Sequence, residues 1–294
     1  MHKIKKFITN KVGHLPFENY TVIIGSAPSK GARSPELWNA AFKGYKIKNH
    51  MIPLDVSNNK LFKLLDALEK DNNFIGGCVT IPHKETVFKW LKGKVTSTSK
   101  KIGAVNCLFR SKDGKLKGTN TDGEAALKSF QNKFGSIKKK YILLIGVGGA
   151  GKAVASYFAF EIGKKKNLTI VGRSHSSKKF AKKIKSKWIE YKNIVNLNLD
   201  EFDAIINCSS LGFGKLKNKS PLSFVQLNNA SKKLNVFDII YKPRSTKLIL
   251  DSKIKNFRTL NGLDMNLRQA VIGFGYVNKK LKTNKLTHKY MCSI

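Results

Sequence analysis

The sequence predicts an α/β protein, with mostly parallel sheet and helices on its faces, and three observations carry that expectation. Short apolar runs alternate with helical stretches along the whole chain, the pattern of successive βα units. Tyr141–Ile145 is an uninterrupted apolar run of the kind that strands buried on both faces show. It leads directly into Gly146-Val147-Gly148-Gly149-Ala150-Gly151, a glycine-rich turn that opens a further helical stretch. At 294 residues the chain can bury one large core or two modest ones, and two domains are expected.

Each element has a local reason. Tyr20–Gly25 reads as a strand, and Ser34–Phe42 as a helix opened by Ser34-Pro35. Ile47–Val56 is a second strand, and Leu61–Glu69 a helix with apolar residues at 3.6-residue spacing. Phe74–Thr80 is a third strand running into a helix start at Pro82. Ala104–Phe109 and Lys115–Gly118 form a hairpin around the Asp113-Gly114 turn signal, and a helix follows from Asp122 to Phe134. After Tyr141–Ile145 come a helix over Ala150–Ile162 and a strand over Leu168–Val171. Strands at Ala204–Asn207 and Val236–Ile240 precede a last strong helix from Leu263 to about Tyr276. The domain switch is placed near Asp122–Gly123. Residues 1–122, with 263–294 packing back on them, form the first domain, and 123–262 form the second.

Composition narrows the function classes. A hydrophobic fraction of 41% fits a folded chain, and no segment approaches the ~18 uninterrupted apolar residues a membrane span needs. The N-terminus, Met1 to Ile8, is basic without a following apolar stretch, so it reads as a retained extension of no assigned function. Cys78, Cys107, Cys208 and Cys292 stand singly, without metal-ligand spacing, which fits reduced thiols in a cytoplasm and no metal. The formal charge of +38 is what a nucleic-acid binder would carry. Here the lysines are spread over every segment and no nucleic-acid motif accompanies them, so no dedicated nucleic-acid partner is expected. The field should still attract polyanionic small molecules, a phosphorylated cofactor among them.

Gly146-x-Gly148-x-x-Gly151 satisfies the dinucleotide fingerprint in its proper context, strand before and helix after. The first glycine permits the tight turn, the second lets backbone approach a pyrophosphate, and the third lets helix and strand pack closely. The next strand would end in Asp or Glu in an NAD site. This chain has Gly172-Arg173-Ser174 there, with Lys178 and Lys179 beyond, and a guanidinium suits a 2′-phosphate, so NADP is the expected cofactor. Upstream, Val79-Thr80-Ile81-Pro82-His83-Lys84-Glu85 and Thr119-Asn120-Thr121-Asp122-Gly123 supply a lysine and an aspartate beside hydroxyl and amide groups. A lysine in a partly desolvated setting can exchange a proton, and Asp122 could hold its ammonium or share the proton.

Taken together, these segments resemble the shikimate dehydrogenase family from about Val22 to Ala270. The family's N-V-T-x-P-x-K stretch is met by Cys78 to Lys84, G-A-V-N by Gly103 to Asn106, and G-x-N-T-D-G by Gly118 to Gly123. Its N-R-T is approximated by Gly172-Arg173-Ser174, and its N-x-T-S-x-G-M by Asn207 to Phe213. Its Y-x-P falls on Tyr241 to Pro243, and its G-x-x-M-x-x-x-Q on Gly262, Met265 and Gln269.

The resemblance implies an N-terminal α/β substrate-binding domain and a Rossmann-type NADP-binding domain, with a cleft between them. It implies NADPH-dependent reduction of 3-dehydroshikimate to shikimate, in the aromatic amino-acid precursor pathway, by a soluble monomer or homodimer. Lys84 and Asp122 would be the catalytic pair. Asn106, Asp122 and Gln269 would bind ring hydroxyls, with Ser34, Thr80 and Tyr241 on the carboxylate side. Gly146, Gly148, Gly149, Ala150, Gly151, Arg173 and Ser174 would hold the adenine half of the cofactor, and Ser209, Gly212, Gly262 and Met265 would border the nicotinamide.

The departures fall mostly on the substrate side. The family holds its substrate carboxylate with a Ser-x-Ser pair before Pro, and here that place reads Ala32-Arg33-Ser34-Pro35. Losing one such hydroxyl typically costs ~1.5–3 kcal/mol. The loop is also one residue longer, so Ser26, Ser29 or Arg33 are candidate replacements. Cys78 stands for the usual Asn, and Asn266 for a usual apolar residue. The alternative is therefore a relative acting on quinate or another cyclic hydroxy acid.

Overall fold

The computed structural model describes residues 2–13, 19–279, 281 and 284–294. Met1, part of the basic stretch noted above, lies outside them. The chain divides into two compact units, Met1–Thr121 with Leu267–Ile294, and Asp122–Asn266.

The first unit opens with α1 (His2–Lys5), β1 (Asn19–Gly25), α2 (Ser34–Gly44), β2 (Asn49–Asp55), α3 (Leu61–Glu69) and β3 (Phe74–Val79). Two short helices follow, α4 (Lys84–Trp90) and α5 (Ser97–Ile102), then the hairpin strands β4 (Cys107–Arg110) and β5 (Leu116–Thr119). The sheet order is β2-β1-β3-β4-β5. β1 runs parallel to both β2 and β3, while β4 and β5 are antiparallel. One face packs Val22, Ile24 and Leu54 with the α3 stripe Leu61, Leu64, Leu65 and Leu68.

The basic N-terminus belongs to this core. Ile4 is buried in the same cluster, and Asn10 brackets the edge strand β2. Its Nδ2 donates to the Pro53 carbonyl (3.0 Å), and the Asp55 N–H donates to its Oδ1 (2.8 Å). An edge that would otherwise offer unpaired backbone groups is thereby occupied.

The second unit contains α6 (Asp122–Phe134), β6 (Ile142–Ile145), α7 (Gly149–Ile162), β7 (Leu168–Gly172), α8 (His175–Lys183) and β8 (Lys187–Glu190). It continues through β9 (Ala204–Asn207), α9 (Phe224–Leu227), β10 (Asn235–Asp238), α10 (Lys247–Ile254) and β11 (Arg258–Leu260). All six strands are parallel, in the order β11-β10-β9-β6-β7-β8. The order reverses at β6, and in a doubly wound sheet the crevice beside such a switch point, at the carboxyl ends of the strands, is where ligands bind. The helix α11 (Leu263–Val277) starts in this unit and ends in the first, where α12 (Asn284–Cys292) packs on α2. Leu267, Ala270, Val271, Phe274 and Met291 join Trp38 and Phe42 in a second apolar cluster of the first unit.

The chain is an α/β protein with a Rossmann-type second unit. Among the described residues no helix is long and apolar enough to cross a membrane, and no three His, Cys, Asp or Glu side chains gather as a metal would require.

Candidate active site

In the first unit, Asn106 lies just before β4 with its side chain buried. Its Oδ1 accepts from the Thr121 N–H (2.8 Å), and its Nδ2 donates to Thr121 Oγ1 (3.0 Å) and, at 3.4 Å, to Gln269 Oε1. Thr121 Oγ1 in turn donates to the Gln269 carbonyl (3.1 Å). Three distant stretches of chain are thus tied into one buried polar cluster. It brings Asn106 and Gln269, both expected to bind substrate, together at the residue before Asp122. Thr121 is the member that the sequence did not single out, although it stands inside the Asn120-Thr121-Asp122 motif. Asp122 itself is buried at the first position of α6, where its charge suits the helix N-terminus.

Lys84 is the first residue of α4 and is half-buried. Its position is set from two sides. Its carbonyl accepts from the Val105 N–H (3.0 Å), and the preceding His83 is fully buried with Nε2 at 2.9 Å from the Val56 carbonyl. Burial pushes the His83 pKa below its ordinary value, so the ring is neutral and donates Nε2–H. Thr80 directly follows β3, with its N–H on the Ile24 carbonyl and its carbonyl accepting from the His83 N–H.

The loop from Ser26 to Arg33 departs most from expectation. Ser29 donates its backbone N–H (2.9 Å) and its hydroxyl (2.5 Å) to the two carboxylate oxygens of Asp55. That hydroxyl is spent on the end of β2 and does not replace the missing serine. Ala32 rests its methyl on the Trp38–Phe42 cluster. The side chains of Ser34, buried at the first position of α2, and of the half-buried Arg33 make no hydrogen bond or ion pair among the described residues, although the Arg33 carbonyl accepts from the Leu37 N–H (3.2 Å). Both retain donors for a ligand.

In the second unit the glycine turn has the steric signature of a pyrophosphate cradle. Gly146 has φ +97°, and a Cβ there would lie 2.6 Å from the Ser209 nitrogen. At Gly151 a Cβ would lie 2.1 Å from the Gly146 carbonyl oxygen, so the third glycine closes the turn against the first. A Cβ on Gly148 would meet no protein atom within 4 Å. That side of the turn is open, at the N-terminus of the 14-residue α7, whose first N–H groups lack intrahelical partners. Gly149 and Ala150 lie in that first turn.

Arg173 stands exposed just after β7 without an ion-pair partner among the described residues, and Ser174 is committed to capping α8, accepting from the Ser177 N–H. Lys178 sits over the Trp188 ring, 5.4 Å from its centroid. No carboxylate occupies the end of β7, so the fit is to a cofactor bearing a 2′-phosphate.

Beyond β9, Ser209 donates its N–H (3.0 Å) and hydroxyl (2.7 Å) to Asn207 Oδ1, and Gly212 has φ +106°. Gly262 donates its N–H to the Ile240 carbonyl (3.0 Å), Met265 is buried on α11, and Tyr241 is half-buried between β10 and α10. Asp238, at the end of β10, was missed by the sequence reading. An acidic residue closing an apolar strand, three before the Tyr241-x-Pro243 motif, was the signal available.

The chain matches the family model for the shikimate dehydrogenase substrate binding domain over residues 23–108, and that for shikimate / quinate 5-dehydrogenase over 128–247. It is 35% identical to a shikimate dehydrogenase (NADP(+)) of Methanococcus maripaludis, covering 82% of this chain and 85% of the relative. A crystal structure of a shikimate dehydrogenase in complex with NADP+ superposes with a TM-score of 0.79 at 28% identity, covering 94% of this chain and 95% of that one. A ligand-free 5-ketofructose reductase of Gluconobacter shares the fold, with a TM-score of 0.74 at 24% identity, covering 94% of this chain and 98% of the other. On the strength of both domain models and of 35% identity sustained over 82% of its length, this protein belongs to the shikimate dehydrogenase family.

Proposed function

We propose that the chain is an NADP-dependent shikimate dehydrogenase that reduces 3-dehydroshikimate, with Lys84 and Asp122 as the catalytic pair. The observation that carries the proposal is the buried cluster of Asn106, Thr121 and Gln269, which gathers the ring-hydroxyl donors and acceptors next to Asp122. The open face at Gly148 and the uncompensated Arg173 support NADP as its cofactor.

NADPH, when bound, supplies a hydride to the ring carbonyl carbon. As that C–H bond forms, the carbon–oxygen π bond breaks and the oxygen gains negative charge. Lys84 donates a proton from Nζ to this oxygen, and Asp122 keeps the ammonium oriented and hydrogen-bonds a neighbouring hydroxyl. In the oxidative direction the same proton returns to Lys84. Asn106 and Gln269 fix the ring by its hydroxyls, and Ser34, Thr80 and Tyr241 serve the carboxylate side.

One observation favours a second reading. Because Ser29 is bound to Asp55 and Ala32 carries no hydroxyl, the carboxylate side holds one donor fewer than the family pattern. A site remodelled for quinate or another cyclic hydroxy acid would also look this way. Steady-state oxidation of shikimate and of quinate, each with NADP and with NAD, separates the two. Rapid turnover of shikimate with NADP is expected; turnover confined to quinate would establish the second reading, and silence on both acids would overturn the first.

A further inference from the structure

We propose that Asp238 is a positioning residue that holds the Ser209–Gly212 turn at both of its ends. The proposal rests on the reading above, in which that turn borders the nicotinamide. Its geometry stands within one unit and needs no ligand.

Asp238 is fully buried at the carboxyl end of β10. Its Oδ1 accepts from the Ile240 N–H (3.0 Å). Its Oδ2 accepts from two donors, Asn207 Nδ2 (3.1 Å) and Thr246 Oγ1 (2.7 Å). Asn207 is the hinge of the turn. Its Nδ2 also donates to the Leu211 carbonyl (3.0 Å), and its Oδ1 takes both the N–H and the hydroxyl of Ser209. The Ser209 hydroxyl then accepts from the Leu211 N–H (3.2 Å). An amide has two chemically different ends, and only one orientation satisfies all of these partners. Asp238, an acceptor without a proton of its own, selects that orientation. At the other end, Thr246 packs on Gly212, where a Cβ would lie 3.1 Å from the Thr246 Cβ. Asp238 therefore fixes the start of the turn through Asn207 and its end through Thr246.

Burying this carboxylate carries a cost. Burial pushes the Asp238 carboxyl up to about 6, although the hydrogen bonds from Thr246, Ile240 and Asn207 pull it down. Its folded value thus exceeds its unfolded one. Its contribution to stability is largest below the ordinary carboxylate range and is lost as pH rises through about 6. At neutral pH the ionised group opposes folding and holds the network in place.

Protonation would turn one carboxylate oxygen into a hydroxyl and weaken the acceptor on which the Ile240, Asn207 and Thr246 donors converge, loosening the Asn207 amide. Asn207 at the end of β9 and Cys208 just after it lie beside this carboxylate, with Ile240 in the following turn and Thr246 at the N-cap of α10. Cys208 is the titratable one among them, and burial, with Asp238 and Asp122 nearby, pushes its thiol well up, so it stays neutral in this range. On α10, Lys247 and Asp251 pair with each other (3.1 Å).

The test compares wild type with Asp238→Asn, in which an amide would face the Asn207 amide. Two readouts are taken: NADP affinity by titration from pH 5 to 8, and amide hydrogen exchange of the 207–213 segment. At pH 8 the variant should bind NADP at least tenfold more weakly, and exchange in the segment should rise by a similar factor. The affinity ratio should shrink towards one near pH 5, where wild type is itself protonated; protonation of the cofactor phosphate is common to both proteins and cancels in the ratio. Thr246→Val, which keeps the carboxylate but removes one donor, should move this transition upward by about one pH unit. Should Asp238→Asn fail to fold, the exchange of wild type across pH and the Thr246→Val shift still decide. Unchanged exchange and a pH-independent ratio of one would overturn the proposal. Loss of exchange protection in a protein that binds no NADP would uphold the positioning and overturn the cofactor assignment instead.

Discussion

Each unit begins its sheet work with the same device, a buried strand that turns sharply into a helix, and the two turns are built on opposite principles. After β6 the chain needs four residues to reach α7, and the turn is specified by backbone. Gly146 and Gly151 touch main-chain atoms at distances no Cβ tolerates, while the face at Gly148 stays open. After β1 the chain takes nine residues, Ser26 to Ser34, to enter α2, and the turn is specified by side chains. Ser29 is anchored on Asp55 and Ala32 on an apolar cluster, while the side chains of Ser34 and Arg33 keep their donors uncommitted among the described residues. A backbone-built turn binds what any member of a dinucleotide class presents, whereas a side-chain-built turn is tuned residue by residue to one substrate.

If the first unit does the proton chemistry, Lys84→Ala should lower kcat by about 10²–10⁴-fold. NADPH affinity, measured by direct titration, should stay within a factor of two or so of wild type. A parallel loss of both would erase the division of labour. The glycine turn offers a matched pair of tests. Gly151→Ala drives a Cβ into the Gly146 carbonyl, so it should lower thermal stability by about 1–3 kcal/mol and weaken NADP at least tenfold. Gly148→Ala meets no protein atom and should weaken NADP while leaving the melting temperature unchanged. Equal behaviour of the two variants would mean that the open face is not where pyrophosphate lies. Arg173→Ala should cost NADP about ten- to a hundredfold and NAD almost nothing, and equal losses for both would remove the 2′-phosphate assignment.

The same contrast explains what could be read from the residues. β6, α7 and β7 are buried elements whose apolar runs and glycines announce them, and they stand where the sequence places them. β8 and β11 were passed over. They are the two edges of the six-stranded sheet, three or four residues long, and Lys187-Trp188-Ile189-Glu190 and Arg258-Thr259-Leu260 carry too little apolar pattern to signal a strand. α8 was obscured by its lysines, with Phe180 and Ala181 its buried apolar contacts. Of the proposed site, motif residues such as Asn106 and Gln269 can be nominated from the sequence, but Thr121 and Asp238 are placed by hydrogen bonds to residues far along the chain, which no local pattern encodes. The fate of Ser29 was equally hidden, since its partner Asp55 lies at the end of the neighbouring strand.

The smallest expected effect is also the one that bears most directly on the substrate-side turn. Ala32→Ser restores the hydroxyl that the family pattern places there, in a loop otherwise left intact. Ala32 is half-buried on the Trp38–Phe42 cluster, so an added oxygen can be tolerated only if it turns away from that surface towards a partner. If the loop still delivers this position to the substrate carboxylate, the hydroxyl adds one hydrogen bond to a charged group. KM for shikimate should then fall about tenfold, with kcat nearly unchanged, because the contact is the same in ground and transition states. If the extra loop residue has carried position 32 out of reach, KM will stay where it is, and stability will drop by the cost of wetting an apolar contact. In that event the carboxylate must rest on Ser34 and Arg33, and Arg33→Ala should raise KM where Ala32→Ser did nothing. Either result converts the departure at Ala32 from an altered motif into a measured property of the binding site.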